Sequence, residues 1–401
     1  MVNPPEASIR PWFLELVPLV VVILIVAHVL ALASHINEDC SDFLPWLEHK
    51  AGADISSALA IGKSSYGRTL YAAEYIQTGD CILKVPYSVQ LTPDNLPPEI
   101  TSLLGDEVSN VAKVALLILH EKRLGHNSEW APYISRLPQP EELHSTIFWS
   151  DEELEMIRPS ALYEETLSQK TQIQKEFFAV KSAFDQFPDQ SDNDFAPGDE
   201  VLIRYGKFSN ATLLLDFGFT VSCNSYDQVR VELNVPQHDR LYKQKMELLD
   251  SHRTPSIKDV NEFTSSRNSF TIREVRTGSR KGKGVPQSLR AFCRILTCNS
   301  QQELNALAIE AAQNDGRLAR YPLKDKNREI AAHCHLLSEI SRLTEEHNQY
   351  IKFLLVPTPL RACGKSVLRR RLAHDLLTGE LRVLKSASAW LENYCSTSWT
   401  N

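Results

Sequence analysis

The stretch from Gly198 to Phe219 constrains this chain more than any other part. Gly198-Asp-Glu200 reads as a tight turn. Val201 and Ile203 then alternate with Leu202 and Arg204, the two-residue period of a half-buried strand. Tyr205-Gly206 closes that strand, and a Leu-rich segment follows. A phenol at a strand end can project into the cleft that the strand borders. A second strand pattern follows at Val229–Val235, where Val229, Val231, Leu233 and Val235 alternate with polar partners. Upstream, Ala60-Ile61, Thr69–Ile76 and Cys81–Val85 also read as strands. Thr78-Gly79-Asp80 is the expected hairpin turn, and Pro86 the stop.

Between these strand regions, from about 95 to 185, the pattern is helical. Val111, Val114, Ala115, Ile118 and Leu119 fall at helix spacing, with Gly125 as C-cap. Ser150 to Glu153 is a capping box that opens another helix. Trp130, Tyr133 and Trp149 read as packing aromatics. A short helix is expected over Asp42–Lys50. Beyond about residue 240 the chain is mostly helical. Ser300 to Glu303 is a second capping box, with Gly316 as that helix's stop. Asn327 to Leu355 reads as one long helix with Asn327 as N-cap, its apolar side formed by Ile330, Leu337, Ile340, Leu343, Ile351 and Leu354. Leu368, Leu372 and Leu376 beside Arg369-Arg370-Arg371 suggest an amphipathic C-terminal helix, packed on one face and solvated on the other.

Composition narrows the partners. A net charge of −7 argues against general nucleic-acid affinity, which needs a positive excess. The eight cysteines include no C-x-x-C pair, which favours reduced thiols over a disulfide framework or a zinc site. From Leu16 to Ala33 every residue but His28 is apolar, Arg10 precedes the run, and Ala31-Leu32-Ala33 has the form of a signal-peptidase site. Residues 1–34 are therefore expected to be a signal peptide or membrane anchor. Asn210-Ala211-Thr212 is an N-glycosylation sequon, but it lies in a segment expected to be buried.

Several apparent motifs carry no chemistry. Gly364-Lys365-Ser366 lacks the upstream glycine of a phosphate loop, since Pro359 stands there. His333 and His335, two apart on a helix, point to different faces and cannot share a metal.

The remaining pattern resembles the SET-domain protein methyltransferases, in particular the plant family related to the Rubisco large-subunit lysine methyltransferase. Tyr66-Gly67-Arg68-Thr69-Leu70 with Gly79-Asp80 is similar to that family's opening cofactor strand. Pro197 through Tyr205-Gly206, Ser209-Asn210-Ala211 and Asp216-Phe217-Gly218-Phe219 are similar to its closing motif. Pro286 to Phe292 and the helices that follow resemble its substrate-binding domain. The resemblance implies an α+β fold, with a β-rich SET domain over 35–236 that holds a helical insert at about 95–185. It implies an all-helical substrate-binding domain over 237–356, and a helical tail over 357–401.

It further implies S-adenosylmethionine (AdoMet) as cofactor, with Tyr205 catalytic, Tyr66, Gly67 and Arg68 at the cofactor, and no metal. The expected partner is a protein substrate, methylated on lysine, with histidine as the alternative acceptor, and no nucleic acid. The chain is expected to be a monomer, associated with a membrane only through its N-terminal segment. The implied location is chloroplast or cytosol, against the secretory pathway or membrane suggested by the N-terminus. Family members carry an Asn-His dipeptide between insert and closing strand. Here Phe184 runs through Asp185–Asp194 to Gly198 without one, so an internal deletion is expected near 185–195. A catalytically impaired SET-like protein that binds a partner through its C-terminal helices is the alternative.

Overall fold

The structure is a computed structural model. It describes residues 43–56, 58–64, 67–77, 79–106, 108–138, 143–184, 208–252, 263, 268–276, 278, 282–356 and 364–397. Leu16–Ala33, Tyr66 and the strand expected at Glu200–Tyr205 lie outside these residues. Among the described residues no helix is long and apolar enough to cross a membrane. The chain divides into two compact units, Met1–Glu142 with Lys175–Arg204, and Leu143–Gln174 with Tyr205–Asn401.

The first unit begins with helix α1 (Phe43–Ala51) and an antiparallel hairpin, β1 (Leu59–Ser64) and β2 (Gly67–Ala72). The ladder runs from Leu59 opposite Ala72 to Ser64 opposite Gly67. The expected strand through Ile76 thus stops at Ala72, and Cys81–Val85 is not a strand. Asp80 N–H does bond Gln77 C=O, but this turn joins no strands. Lys84 N–H reaches Ile55 C=O, yet no ladder forms there, and alternation without a partner ladder does not make a strand.

Helices α2 (Pro98–Thr101), α3 (Asn110–Leu124) and α4 (Ala131–Ile134) follow. Gly125 caps α3 at φ +53°, as expected. The buried face of α3 is not the expected one: Ala112, Leu116 and Leu117 are buried, whereas Val111 is 76% exposed and Leu119 38%. Val111 to Leu119 is apolar on nearly every side, so its period cannot choose a face. The buried face packs with Leu96, Ile100, Val108 and Val180. Trp130 and Tyr133 pack as expected, in a neighbouring aromatic group that also holds Phe43 and Trp46.

The second unit contains α5 (Asp151–Leu154), the first part of α6 (Ala161–Phe184), and α7 (Asn210–Phe217). Next come β3 (Gln228–Glu232), α8 (Tyr242–Ser251), β4 (Ser269–Arg273) and α9 (Gln287–Leu296). Helices α10 (Gln301–Ala312), α11 (Lys326–Leu355) and α12 (Gly364–Thr397) complete it. The Ser150–Glu153 capping box is present in full. Ser300 caps α10, but the Glu303 carboxylate accepts the Asn299 N–H rather than closing a box on Ser300. Asp325, not Asn327, caps α11, accepting N–H bonds from Asn327 and Arg328. An ionised carboxylate at that position also favours the helix dipole.

Val229, Val231, Leu233 and Val235 are all buried, and β3 pairs antiparallel with β4, which adds a strand to an otherwise helical region. Their apolar face meets Phe292 of α9, Leu336 and Ile340 of α11, and Val383, Leu384 and Leu391 of α12. Of the basic cluster, Arg369 is buried and paired with Glu153. Arg370 donates to the C-terminal carbonyls of α11, at Leu354 (2.9 Å) and Val356 (3.1 Å).

Candidate functional site

Of the residues the resemblance assigns, Gly67 and Arg68 open β2 and pair with Ser64 and Lys63 across the hairpin. Tyr66 and Tyr205 lie outside the described residues. The second half of the closing motif, Ser209 to Phe219, is described in full.

Helix α7 starts at Ser209, whose Oγ accepts the Thr212 N–H, and stops at Gly218, φ +76°. A Cβ at Gly218 would sit 2.6 Å from the Ser145 nitrogen and 2.8 Å from the His144 carbonyl carbon, both backbone. Glycine is therefore required there twice, by conformation and by space. Asn210 through Leu215 are all buried. The sequon asparagine is 1% exposed, so the folded chain offers no acceptor there.

Instead Asn210 organises a buried polar network. Its side-chain oxygen accepts the Val221 N–H at 2.8 Å, and its amide donates to the Val221 carbonyl at 3.0 Å, imitating a strand pair. Its backbone N–H, one of the orphan donors at a helix start, goes to Asp227 Oδ1 at 2.9 Å. Asn224 donates to the Phe208 carbonyl at 2.9 Å, holding the residue just before the cap. Arg382 of α12 reaches the Asn224 carbonyl at 2.5 Å and Asp227 Oδ2 at 3.4 Å. Burial pushes the Asp227 carboxyl up to about 7; the Asn210 N–H opposes this, and the nearby Glu380 charge adds to it. Asp227 fits against α12 only because residue 379 is glycine: a Cβ there would lie 2.2 Å from Asp227 Oδ2.

Next to Gly379, Glu380 is 3% exposed and accepts from Ser160 Oγ at 2.7 Å and from His347 Nε2 at 2.9 Å. His347 Nδ1 lies 2.8 Å from the Leu343 carbonyl. Burial lowers the His347 pKa, but the Glu380 bond and charge outweigh it, so the net shift is upward. Serine, acid and histidine meet here in the wrong order for nucleophilic catalysis. The carboxylate stands between the other two, so the imidazole cannot take the hydroxyl proton.

Glu380 also lines a cleft of about 420 Å³, with Ser209, Ala211, Arg230, Thr271 and Arg273 on its walls. Among the described residues no three His, Cys, Asp or Glu side chains gather as a metal site. Asp227, His347, Glu380 and Arg382 went unnoticed in the sequence. Scattered charged residues carry no period that marks them as buried.

The second unit can now be placed among known proteins. Residues 236–384 match the family model described as Rubisco LSMT substrate-binding.

The fold is similar to that of Rubisco LSMT. One solved structure of Rubisco LSMT bound to sinefungin and monomethyllysine superimposes with a TM-score of 0.61, covering 90% of this chain and 93% of the other at 19% identity. The SET domain of LSMT bound to lysine and AdoHcy gives a TM-score of 0.62 over the same shares, also at 19% identity. These likenesses bear out the α+β architecture expected from the motifs.

Among curated relatives, ribosomal lysine N-methyltransferase 4 of Saccharomyces cerevisiae is 28% identical over 137 residues, 32% of this chain and 28% of the relative. The chloroplastic [fructose-bisphosphate aldolase]-lysine N-methyltransferase of Arabidopsis thaliana is 21% identical over 300 residues, 57% and 62% of the two chains. The chloroplastic Rubisco large-subunit N-methyltransferase of Pisum sativum is 30% identical over 134 residues, 33% and 27%. The chain thus spans less than two thirds of the length of each.

Proposed function

We propose that this chain is an AdoMet-dependent protein methyltransferase acting on a lysine side chain. The observation that carries the reading is the segment Ser209–Gly218. It is the folded continuation of Tyr205-Gly206, with its helix start, its stop and the Asn210 amide all satisfied by buried partners. The family match of residues 236–384 supports the same reading, as do relatives named as lysine N-methyltransferases.

Bound AdoMet supplies an electrophilic methyl group. The chain's own part is to position and to exclude water. The backbone of Gly67 and Arg68, at the end of a hairpin, suits the charged amino-acid end of such a cofactor; Tyr66 precedes them in the sequence. The Tyr205 hydroxyl would orient the acceptor nitrogen. A protein histidine is the second acceptor to try, because an actin-histidine N-methyltransferase of Rattus norvegicus is 22% identical over 282 residues.

One observation favours a second reading, a catalytically silent protein that keeps the substrate-binding helices. No Asn-His dipeptide occurs between Phe184 and Gly198. Its loss removes a polar partner, at about 1–3 kcal/mol for a hydrogen bond left unmade. Calorimetric titration of AdoMet into the full chain separates the two readings. Binding in the micromolar range supports the enzyme. No heat from folded, monodisperse protein supports the silent reading.

A further inference from the structure

Cys334 on α11 and Cys395 in the last turn of α12 have their sulfurs 3.4 Å apart, with Cys334 donating. Cys334 is exposed and Cys395 is buried. The helices that carry them are the most extensively packed pair among the described residues. Their relative position is fixed beside the two sulfurs: His333 stacks on Tyr394 at 4.2 Å, and the Tyr394 hydroxyl donates to Glu329 at 2.9 Å. A disulfide needs about 2.05 Å between sulfurs, which side-chain rotation can supply from this starting point.

We propose that Cys334 and Cys395 form a reversible disulfide in the folded chain, made by exchange with a low-molecular-weight disulfide, and that it pins the end of α12 to α11. The Cys334 thiolate attacks one sulfur of the small disulfide and expels the first small thiolate. Cys395 then gives its proton to solvent, attacks the Cys334 sulfur and expels the second. Two protein thiols are oxidised, and one small disulfide is reduced to two thiols. Burial, reinforced by the neighbouring Cys334, pushes the Cys395 thiol up, so the second attack requires loss of that held proton. The other described cysteines offer no such pair: Cys81 and Cys223 are exposed at separate places, and Cys293 and Cys298 are buried with their thiols held protonated. This inference does not depend on the methyltransferase reading.

The test uses the full chain with oxidised glutathione as probe. The protein is incubated, alkylated without reductant, digested and mapped by mass spectrometry. The expected result is a linked Cys334–Cys395 peptide that disappears with dithiothreitol. Two of the eight thiols should be lost. The unfolding midpoint of the oxidised protein should rise by several degrees, because the cross-link closes a long loop. The variant Cys334→Ser, changed at an exposed site, should show neither the link nor the rise. A glutathione adduct that persists on Cys334 while Cys395 is alkylated would overturn the disulfide. Equal midpoint changes in the two proteins would overturn the pinning.

Discussion

Replacing Gly379 by alanine sets two physical effects against each other with opposite signs. Gly379 lies inside a 34-residue helix, where alanine is favoured over glycine by about 1 kcal/mol. Propensity alone therefore predicts stabilisation. The added Cβ would meet Asp227 Oδ2 at 2.2 Å and Cγ at 2.9 Å, so the carboxyl must retreat by about 1 Å to reach ordinary contact. That retreat stretches the 2.9 Å bond from the Asn210 N–H and the 3.4 Å contact with Arg382. Asp227 is 3% exposed, so water cannot replace the lost partners. A buried donor left unpaired costs about 1–3 kcal/mol. The net expectation for Gly379→Ala is destabilisation by about 1–2 kcal/mol, a fall in melting temperature of roughly 2–8 °C. Urea unfolding followed by far-UV circular dichroism measures it. The same substitution in an Asp227→Ala background should be neutral or stabilising, since the clash is gone. Stabilisation in the wild-type background would refute the reasoning, because it would show that Asp227 can leave the helix surface without loss.

The remaining predictions use the same buried groups. Asp227 has its folded pKa raised from 3.8 to about 7, so its contribution is fully present below pH 3.8 and is lost as pH rises to 7. Asp227→Asn should flatten the fall in stability across that window, by at most about 4 kcal/mol, in unfolding curves measured from pH 4 to 8. The raised pKa of His347 acts in the same direction, its contribution being lost as pH rises above 6.5, so His347→Gln should flatten the alkaline side. Arg294 is fully buried and held by Glu329 through two bonds of 2.6 and 2.8 Å. Glu329→Gln leaves that guanidinium without its counter-charge and should cost about 3–5 kcal/mol in denaturant unfolding. Tyr205→Phe should lower methyl transfer on the order of a hundredfold while AdoMet titration stays nearly unchanged; equal turnover would show that the tyrosine has no catalytic part.

What could be read along the chain was whatever is decided locally. The capping box at Ser150 and Glu153, the stop at Gly125 and the alternation of Val229, Val231, Leu233 and Val235 depend on neighbours a few residues away. They stand in the structure as expected. The resemblance carried by the closing motif and the C-terminal helices also held, for the α+β fold and for residues 236–384. Elements that need a distant partner went differently. Cys81–Val85 has the composition of a strand but no ladder to join, and α3 buries Leu116 and Leu117 rather than Val111 and Leu119.

The sequence by itself determined the caps at Ser150 and Gly125, the strand alternation from Val229 to Val235, and the positions where Tyr66, Gly67, Arg68 and Tyr205 stand in a familiar pattern. Only the tertiary structure decided that charged residues would occupy the interior. Asp227, Glu380, His347 and Arg294 are each spaced like surface residues, and a lone buried charge is too costly to expect. Each becomes tolerable only when the fold brings a partner from far along the chain: Arg382 for Asp227, Ser160 and His347 for Glu380, and Glu329 for Arg294. A pairing between distant residues has no local signature, because neither member changes the periodicity around it.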